Sequence, residues 1–218
     1  MTGRVVLFGV SRLAECVAAY LEDDGFQPVA YTLDRAHVEA AEHSGLPLVP
    51  RDELRERFPP PDHALLVVLG YNRDGLILDK LREARAEGYA PFRFVASSAA
   101  VGRHVTLGDG CIVCPGAMVE PHAVLGDGVI VRSRAYVGHH ARVEGGAYFA
   151  PGATVSGDVR IGERAFVGTN ATVRDGITIG DRAVVGAGAT ALRDLPGGAV
   201  LRAARCDVLD RPRGDRRL

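Results

Sequence analysis

Tryptophan is missing from this sequence of 218 residues, and Phe, Trp and Tyr together account for only 6% of it. The core must therefore consist of Val, Ile, Leu and Ala, and the 27 glycines indicate a repetitive backbone. The four cysteines, Cys16, Cys111, Cys114 and Cys206, are too few and too scattered for a disulfide framework. The sequence is thus unlike that of a small disulfide-stabilised protein.

The sequence also has no excess of positive or negative charge and no long apolar run. Lys and Arg number 26 against 27 Asp and Glu, so no basic field indicates a nucleic-acid partner. The longest apolar runs, such as Ala64–Gly70, are far shorter than the roughly 20 residues of a transmembrane helix. The first residues enter a strand pattern without the features of a signal peptide. We expect a cytoplasmic protein with small-molecule partners and no nucleic-acid or membrane partner.

A six-residue repeat occupies the second half of the chain. Aliphatic or aromatic residues recur in one column, at Val101, Leu107, Val113, Val119, Leu125, Val131, Val137, Val143, Phe149, Val155, Ile161, Val167, Val173, Ile179, Val185 and Ala191. A second column of small or aliphatic residues follows four positions later, from Val105 and Cys111 to Ala189 and Leu195. Glycine often follows the first column, where we expect a tight corner.

Two inward positions in every six residues are typical of a parallel β-helix. Three hexads form one triangular coil, so residues 18 apart lie over one another at about 4.8 Å, the spacing of neighbouring strands. The periodicity does not determine the handedness of the helix.

Residues 1–96 have a different pattern, which predicts a small doubly wound α/β domain. Buried strands are predicted at Arg4–Gly9, Phe26–Asp34, His63–Gly70 and Phe92–Ala96, and helices at Ser11–Asp23 and Leu76–Glu87. The turn after the first strand, which contains Gly9 and Ser11, is a degraded form of a dinucleotide fingerprint. It is compatible with a plain βα turn, with a nucleotide or sugar-nucleotide site and, least of the three, with an NAD site. Candidate acceptor-binding residues around this crevice are Gly9, Ser11, Asp34, Arg35, Gly70, Asn72 and Arg73.

An α/β domain followed by an uninterrupted hexapeptide prism resembles the sialic-acid O-acetyltransferase (NeuD-type) family of sugar N- and O-acetyltransferases. The resemblance is sharpest from Tyr136-Val137-Gly138-His139-His140 to Gly186-Ala187-Gly188-Ala189. It implies a Rossmann-like first domain and an all-β left-handed parallel β-helix, which occupies 97–201 here. An Arg-rich tail follows over 202–218, and the close of the prism that is usual in the family is missing. The resemblance also implies a homotrimer, acetyl-CoA as the donor, and active sites between neighbouring prisms.

The general base of that family corresponds to His139, with His140 where an acidic residue often stands. His139 is the third residue of its hexad, and the residue one coil above it is Gly157, whose N–H could stabilise an oxyanion. We therefore expect direct acyl transfer with His139 as the base and His140 beside it. Candidate residues for the cofactor, acetyl-CoA, are Gly157, Thr169, Ala187 and Arg205.

Several features depart from the family. Tyr148 replaces a second histidine found in many members and is a candidate acceptor contact through its hydroxyl. The first turn lacks the histidine of members that bind UDP-sugars, so the acceptor need not be a UDP-sugar. The arginines of the tail suit either a solvated segment or contacts with CoA phosphates.

His104, His122 and His140 are spaced by 18 and should stack on one edge. Three interpretations of this column are possible: it contacts the acceptor or another subunit, it is a solvated edge, or it binds a metal. We expect no metal, and a structural role for Cys111 and Cys114 on different sides of the prism wall.

The leading hypothesis is an acetyl-CoA-dependent N- or O-acetyltransferase acting on an aminosugar, nucleotide sugar or related polar acceptor. The alternatives are a zinc-dependent hydratase of the γ-carbonic-anhydrase type and a non-catalytic trimeric scaffold.

Overall fold

A computed structural model describes residues 3–60, 62–71, 75–90 and 92–204 of the chain. It contains an N-terminal α/β sheet followed by a triangular prism of parallel strands. Among the helices in these ranges, none has the length and apolar character required to cross a membrane.

The N-terminal unit has one mixed sheet with the first strand near its centre. Its elements are β1 (Arg4–Phe8), α1 (Arg12–Asp23), β2 (Gln27–Leu33), a 3-10 turn (Arg35–His37), β3 (Glu42–His43), β4 (Leu46–Pro50), α2 (Arg51–Arg57), β5 (Ala64–Val67) and α3 (Leu76–Ala86). The strand order is β3-β4-β2-β1-β5, and only β3 runs antiparallel to its neighbour. The carboxyl ends of β1, β2 and β5 therefore meet at one edge of the sheet.

The predicted strands and helices of this unit are confirmed at β1, α1, β2, β5 and α3. Strand β4 and helix α2 were not predicted. Two prolines, Pro47 and Pro50, lie within β4, and proline in a sequence argues against an interior strand. The strand forms because Leu48 and Val49 are buried and its carboxyl half pairs with β2.

The prism comprises eighteen two-residue strands in the described residues, β6 to β23. In chain order they are Phe94–Val95, Ala100–Val101, Thr106–Leu107, Ile112–Val113, Met118–Val119, Val124–Leu125, Ile130–Val131, Tyr136–Val137, Arg142–Val143, Tyr148–Phe149, Thr154–Val155, Arg160–Ile161, Phe166–Val167, Thr172–Val173, Thr178–Ile179, Val184–Val185, Thr190–Ala191 and Val200–Leu201. They form face 1 (β7, β10, β13, β16, β19, β22), face 2 (β8, β11, β14, β17, β20) and face 3 (β6, β9, β12, β15, β18, β21, β23).

The register confirms the coil of 18 residues, as in the pairing of Tyr136 with Thr154. The last coil is two residues shorter, because Val184 pairs with Val200. The first strand of face 3, Phe94–Val95, pairs with Ile112–Val113, so the hydrogen bonding of the prism begins before the predicted boundary at residue 96. From Cys111 onward both predicted inward columns are buried up to Ala191, and Phe149 is fully buried among them.

The tight corner expected at the glycines after the first column is confirmed, because the Ala141 N–H donates to the Gly138 carbonyl at 3.3 Å across the turn. The left-handed backbone conformation falls two residues after them, as at His140 with φ 57° and Asn170 with φ 52°. The glycine after the first column is required for another reason: a Cβ on Gly138 would lie 2.6 Å from the nitrogen of Gly157 in the next coil. Close approach between coils, and not a positive φ, therefore accounts for this glycine.

The α/β unit packs on face 3. Outward residues of that face, Ile112 and Ile130, belong to the same apolar cluster as the N-terminal core. Cys111 points into the prism core and Cys114 into the cluster under the α/β unit, which confirms that the two thiols lie on different sides of the wall. Because the three faces follow one another along the chain, the edge between faces 1 and 2 lies across the prism from the α/β unit.

Candidate active site

The chemistry-bearing residues of the prism gather on the edge between faces 1 and 2. We call this the histidine edge and define it by His104, His122, His139, His140, Gly157 and Asp158. His139 follows β13, and its imidazole lies directly beneath Gly157 of the next coil. A Cβ at residue 157 would lie 2.5 Å from His139 Nε2 and 2.9 Å from its Nδ1. The predicted pairing of these two residues is therefore a direct contact.

The backbone of His139 is held by the coils on both sides. Its N–H donates to Glu120 Oε2 at 3.0 Å, and its carbonyl accepts from the Asp158 N–H at 2.9 Å. The Tyr136 hydroxyl donates to the Glu120 carboxylate and, together with the His139 N–H, holds the pKa of Glu120 below its usual range. Desolvation, followed by this hydrogen bond, raises the pKa of Tyr136 to about 12. Glu120 and Tyr136 thus brace the corner that carries His139.

Sequence reasoning missed both bracing residues. Their only signal is position: Glu120 lies one coil below Gly138, and Tyr136 is the outward residue of the strand before His139. An isolated carboxylate on an outward position has no distinctive pattern, so only the three-dimensional register reveals the interaction.

His140 lies beside His139 with its ring nearly perpendicular. The two Nδ1 atoms are 3.2 Å apart, within hydrogen-bond distance, and the interplanar angle is 80°. Asp158 Oδ2 lies 4.0 Å from His139 Nδ1. The side chains of His139 and Asp158 are 53% and 69% exposed, so a ligand has free access to them in the single chain.

The Gly157 N–H has no acceptor in the part of the chain that the structure describes. The equivalent N–H one coil below, that of His139, bonds to the side chain of Glu120. The residue in the equivalent position beneath Gly157 is Gly138, which has no side chain to accept. The edge therefore presents an imidazole and an unpaired amide at adjacent levels, which is the pair of groups that acyl transfer requires.

The predicted histidine column is confirmed as a stack. The rings of His104 and His122 are 5.0 Å apart with an interplanar angle of 13°, and those of His122 and His140 are 4.8 Å apart at 20°. Rings stacked face to face do not direct their nitrogens at one point. The column of three therefore has no geometry for a shared ion.

The candidate residues of the α/β unit lie at the carboxyl ends of its strands. The Gly9 N–H donates to the Thr32 carbonyl at 3.1 Å, and with φ 122° and the Val68 carbonyl close by, no side chain fits at residue 9. Ser11 is the N-cap of α1 and accepts from the Ala14 N–H at 3.3 Å. Gly70 follows β5 at the same edge of the sheet. Asn72 and Arg73 lie outside the described residues.

Asp34 and Arg35 both have protein partners. Asp34 accepts from Lys80 Nζ at 2.9 Å, and Arg35 pairs with Asp52 at 2.8 Å and Glu53 at 2.6 Å. Burial lowers the pKa of Lys80, but the hydrogen bonds that its ammonium donates to Glu83 and Asp34 outweigh this effect and raise that pKa above its usual range. Lys80 was not predicted, because it is one of several charged residues in α3. Asp34 keeps lone pairs that a hydroxyl could use, whereas the Arg35 guanidinium is directed at α2.

Tyr148 lies away from His139 within one chain. It is on face 3, where its hydroxyl accepts from Arg132 Nη1 at 2.8 Å and its ring stacks on Phe166 at 5.6 Å. The ring of Tyr71, next to Gly70, contacts Phe166 at 4.6 Å. Tyr148 therefore belongs to the region where the α/β crevice meets the prism.

The candidate cofactor residues lie on two different edges. Thr169 and Ala187 are one coil apart on the edge between faces 3 and 1, and the Thr169 carbonyl accepts from Gly188 N–H at 2.9 Å. Gly157 is on the histidine edge, and Arg205 lies outside the described residues. Among the described residues, one chain alone does not bring Gly157 together with Thr169 and Ala187 around a single ligand.

Comparisons with known proteins found one family model and several solved structures that match this chain. The family described as "Hexapeptide repeat of succinyl-transferase" matches residues 158–190. The acetyltransferase domain of PglB from Neisseria gonorrhoeae, in complex with acetyl coenzyme A, is 27% identical with a TM-score of 0.83; the match covers 92% of this chain and 96% of that one. A comparison with curated protein sequences gave no match.

The structure of PerB from Caulobacter crescentus, in complex with CoA and GDP-perosamine, is 31% identical with a TM-score of 0.81. The match covers 92% of this chain and 94% of that one. A variant of the perosamine N-acetyltransferase from the same organism, in which one histidine is replaced by asparagine, is 32% identical with a TM-score of 0.82. The similarity therefore includes both the α/β unit and the prism.

Proposed function

Because this chain belongs to the hexapeptide-repeat sugar acetyltransferases and is therefore an acyltransferase, we propose that it transfers an acetyl group from acetyl-CoA to an amine or hydroxyl of a nucleotide-linked sugar or a related polar acceptor. The observation that carries this proposal is the His139 imidazole directly beneath the unpaired N–H of Gly157. The finer assignment, to the sialic-acid O-acetyltransferase (NeuD-type) branch, is part of the same proposal.

In the proposed mechanism, His139 donates its Nδ1–H to Nδ1 of His140, which leaves Nε2 free to accept a proton. The acceptor nitrogen or oxygen attacks the thioester carbonyl while Nε2 takes its proton. The Gly157 N–H stabilises the oxyanion of the tetrahedral intermediate. When the C–S bond breaks, the imidazolium returns the proton to the departing CoA thiolate. No covalent enzyme intermediate is formed.

The acceptor is proposed to lie in the crevice of the α/β unit, near Gly9, Ser11, Asp34 and Gly70. That unit covers face 3, whereas His139 is on the edge across the prism. An acceptor held by one chain would therefore reach His139 of a second copy. This supports the proposed homotrimer with active sites between neighbouring left-handed prisms, each carrying a Rossmann-like domain.

The donor site is also proposed to be formed by two copies of the chain. Acetyl-CoA is proposed to lie between two prisms, against Gly157 of one copy and against Thr169 and Ala187 of its neighbour. Arg205 and the tail that follows are proposed to contact the CoA phosphates. A cytoplasmic location remains part of the proposal, because acetyl-CoA is the co-substrate.

The test is release of free CoA in the presence of acetyl-CoA and a panel of acceptors that includes GDP-perosamine and UDP-linked aminosugars. We expect saturable release with at least one nucleotide-linked sugar, and product mass increased by one acetyl group. His139→Ala should abolish most of this release. If none of the acceptors supports CoA release at any concentration, a non-catalytic scaffold becomes the better explanation.

A further inference from the structure

The histidine edge also carries a set of groups different from the stacked column. We propose that His139, His140 and Asp158 form a site for a divalent transition-metal ion such as Zn²⁺, and that the bound ion holds His139 in the tautomer that cannot act as a base. The ligand atoms of these three side chains all lie within 4.8 Å of one another.

The nitrogen positions suit a tetrahedral ion. Two nitrogen ligands of a tetrahedral Zn²⁺, each at about 2.0–2.1 Å, lie about 3.3–3.4 Å apart. The Nδ1 atoms of His139 and His140 are 3.2 Å apart, and the rings are steeply inclined to each other. The separation of the two nitrogens therefore already matches that of two ligands on one tetrahedral ion.

Asp158 supplies the third ligand. Its Oδ2 lies 4.0 Å from His139 Nδ1, so a movement of roughly 0.7 Å toward that nitrogen brings the two atoms to the spacing of two ligands on a tetrahedral ion. The side chain is 69% exposed and free to make this movement. Its backbone is fixed by the hydrogen bond from its N–H to the His139 carbonyl. Two imidazoles and one carboxylate leave a fourth position open for water or an acceptor atom.

The consequence for His139 follows from which nitrogen the ion occupies. A neutral imidazole bound to the ion through Nδ1 carries its proton on Nε2. Nε2 is the atom beneath Gly157 that must accept a proton in the proposed mechanism. The ion thus inactivates the base without displacing it. This second half of the inference rests on the proposed function, whereas the site itself rests on geometry alone.

The binding test uses the full-length protein and ZnCl₂ in isothermal titration calorimetry. We expect one ion per chain, and affinity at least about tenfold lower in His140→Asn and in Asp158→Asn. Asparagine tolerates the left-handed backbone of both positions, so these variants should fold. His104→Asn is the matched control, since His104 has the same backbone conformation two coils away, and it should bind as the wild type does.

Substitution of Co²⁺ distinguishes this site from the cysteines. Nitrogen and oxygen ligands give weak visible bands, whereas a thiolate-to-cobalt charge-transfer band in the near ultraviolet would place the ion on a cysteine and overturn the site. Equal Zn²⁺ affinity in wild type, His140→Asn and Asp158→Asn would also overturn it.

Activity gives a separate outcome. Saturating Zn²⁺ should reduce CoA release by the wild type at least about tenfold, reversibly on addition of EDTA, because the base is removed. If the ion binds and His140→Asn loses it, but the wild type keeps full activity with the ion bound, the site stands and the tautomer inference is overturned. That result would also remove His139 as the base, which separates a failure of the proposed function from a failure of the metal site.

Discussion

The imidazole of His139 lies so close to the α-carbon of Gly157 that any side chain at position 157 would displace the ring. A Cβ there would lie 2.5 Å from His139 Nε2. The atoms in its way belong to an exposed side chain and not to the backbone of a neighbouring coil, so the fold could accommodate the change by moving the ring. The glycine therefore serves the position of the imidazole more than the stability of the prism.

Gly157→Ala should accordingly reduce kcat by about 10²-fold, because displacement of a reacting group by about 1 Å costs this much. The thermal midpoint should change little. Gly162→Ala is the matched control: its Cβ would lie 2.5 Å from the backbone nitrogen of Asp181, so it should lower the midpoint. Equal loss of stability in the two variants would contradict this division of roles.

His139→Ala should reduce kcat by about 10²- to 10⁴-fold, the usual cost of removing a general base. The KM for acetyl-CoA should change much less. His140→Ala should have a smaller effect on kcat, since it only removes the acceptor for the His139 Nδ1–H. If His140→Ala is inactive while His139→Ala retains near-wild-type activity, His140 is the base.

The sequence could predict the position of His139 and Gly157, but not the residues that hold His139 in place. Periodicity gives the register of the prism directly, because each coil repeats the same two inward positions, and so it places Gly157 over His139 and stacks the three histidines. It does not reveal that Tyr136 and Glu120 brace the corner, since that interaction depends on side chains reaching between coils. Nor does it predict β4, where tertiary pairing overrides two prolines.

The distance between the acceptor crevice and His139 was likewise beyond the sequence. Tyr148 and His139 are only nine residues apart in the sequence. In the triangular prism, however, Tyr148 lies on face 3 and His139 lies on the opposite edge. The shortened last coil has no periodic signal either, because residues 191 and 195 continue the apolar pattern through it.

The cysteines provide a prediction about reactivity. Burial raises the pKa of Cys111 to about 12 and that of Cys114 to about 11, so both thiols stay protonated at about pH 8. Iodoacetamide should therefore add no more than two groups to the native protein, at the exposed Cys16 and at Cys206, which lies outside the described residues. In guanidinium chloride all four cysteines should react. Intact-mass measurement checks both states, and modification of Cys111 in the native protein would contradict the buried prism wall.

Phe149 is the largest side chain in the prism core and is fully buried. Its neighbours one coil below and above are Val131 and Val167, which are too small to fill the space that an alanine would leave. Phe149→Ala should therefore lower the free energy of unfolding by about 3–5 kcal/mol, measured by denaturant titration. Phe166→Ala, which truncates a partly buried aromatic residue on the outside of face 3, should cost less.

Assembly is the condition on which the proposed active site depends. Met118 on face 1 is 44% exposed and Val101 beside it is 38% exposed, an apolar surface at the start of the prism that a second copy would cover. Light scattering should give about three chain masses for the wild type. Met118→Asp places a charge on this surface and should shift the protein toward monomer, with the helical circular dichroism of the α/β unit retained.

Loss of activity should accompany dissociation, because an acceptor on face 3 of one chain cannot reach His139 of the same chain. A monomer with full activity would show that acceptor and base come from a single chain, and the crevice of the α/β unit would then no longer be the acceptor site.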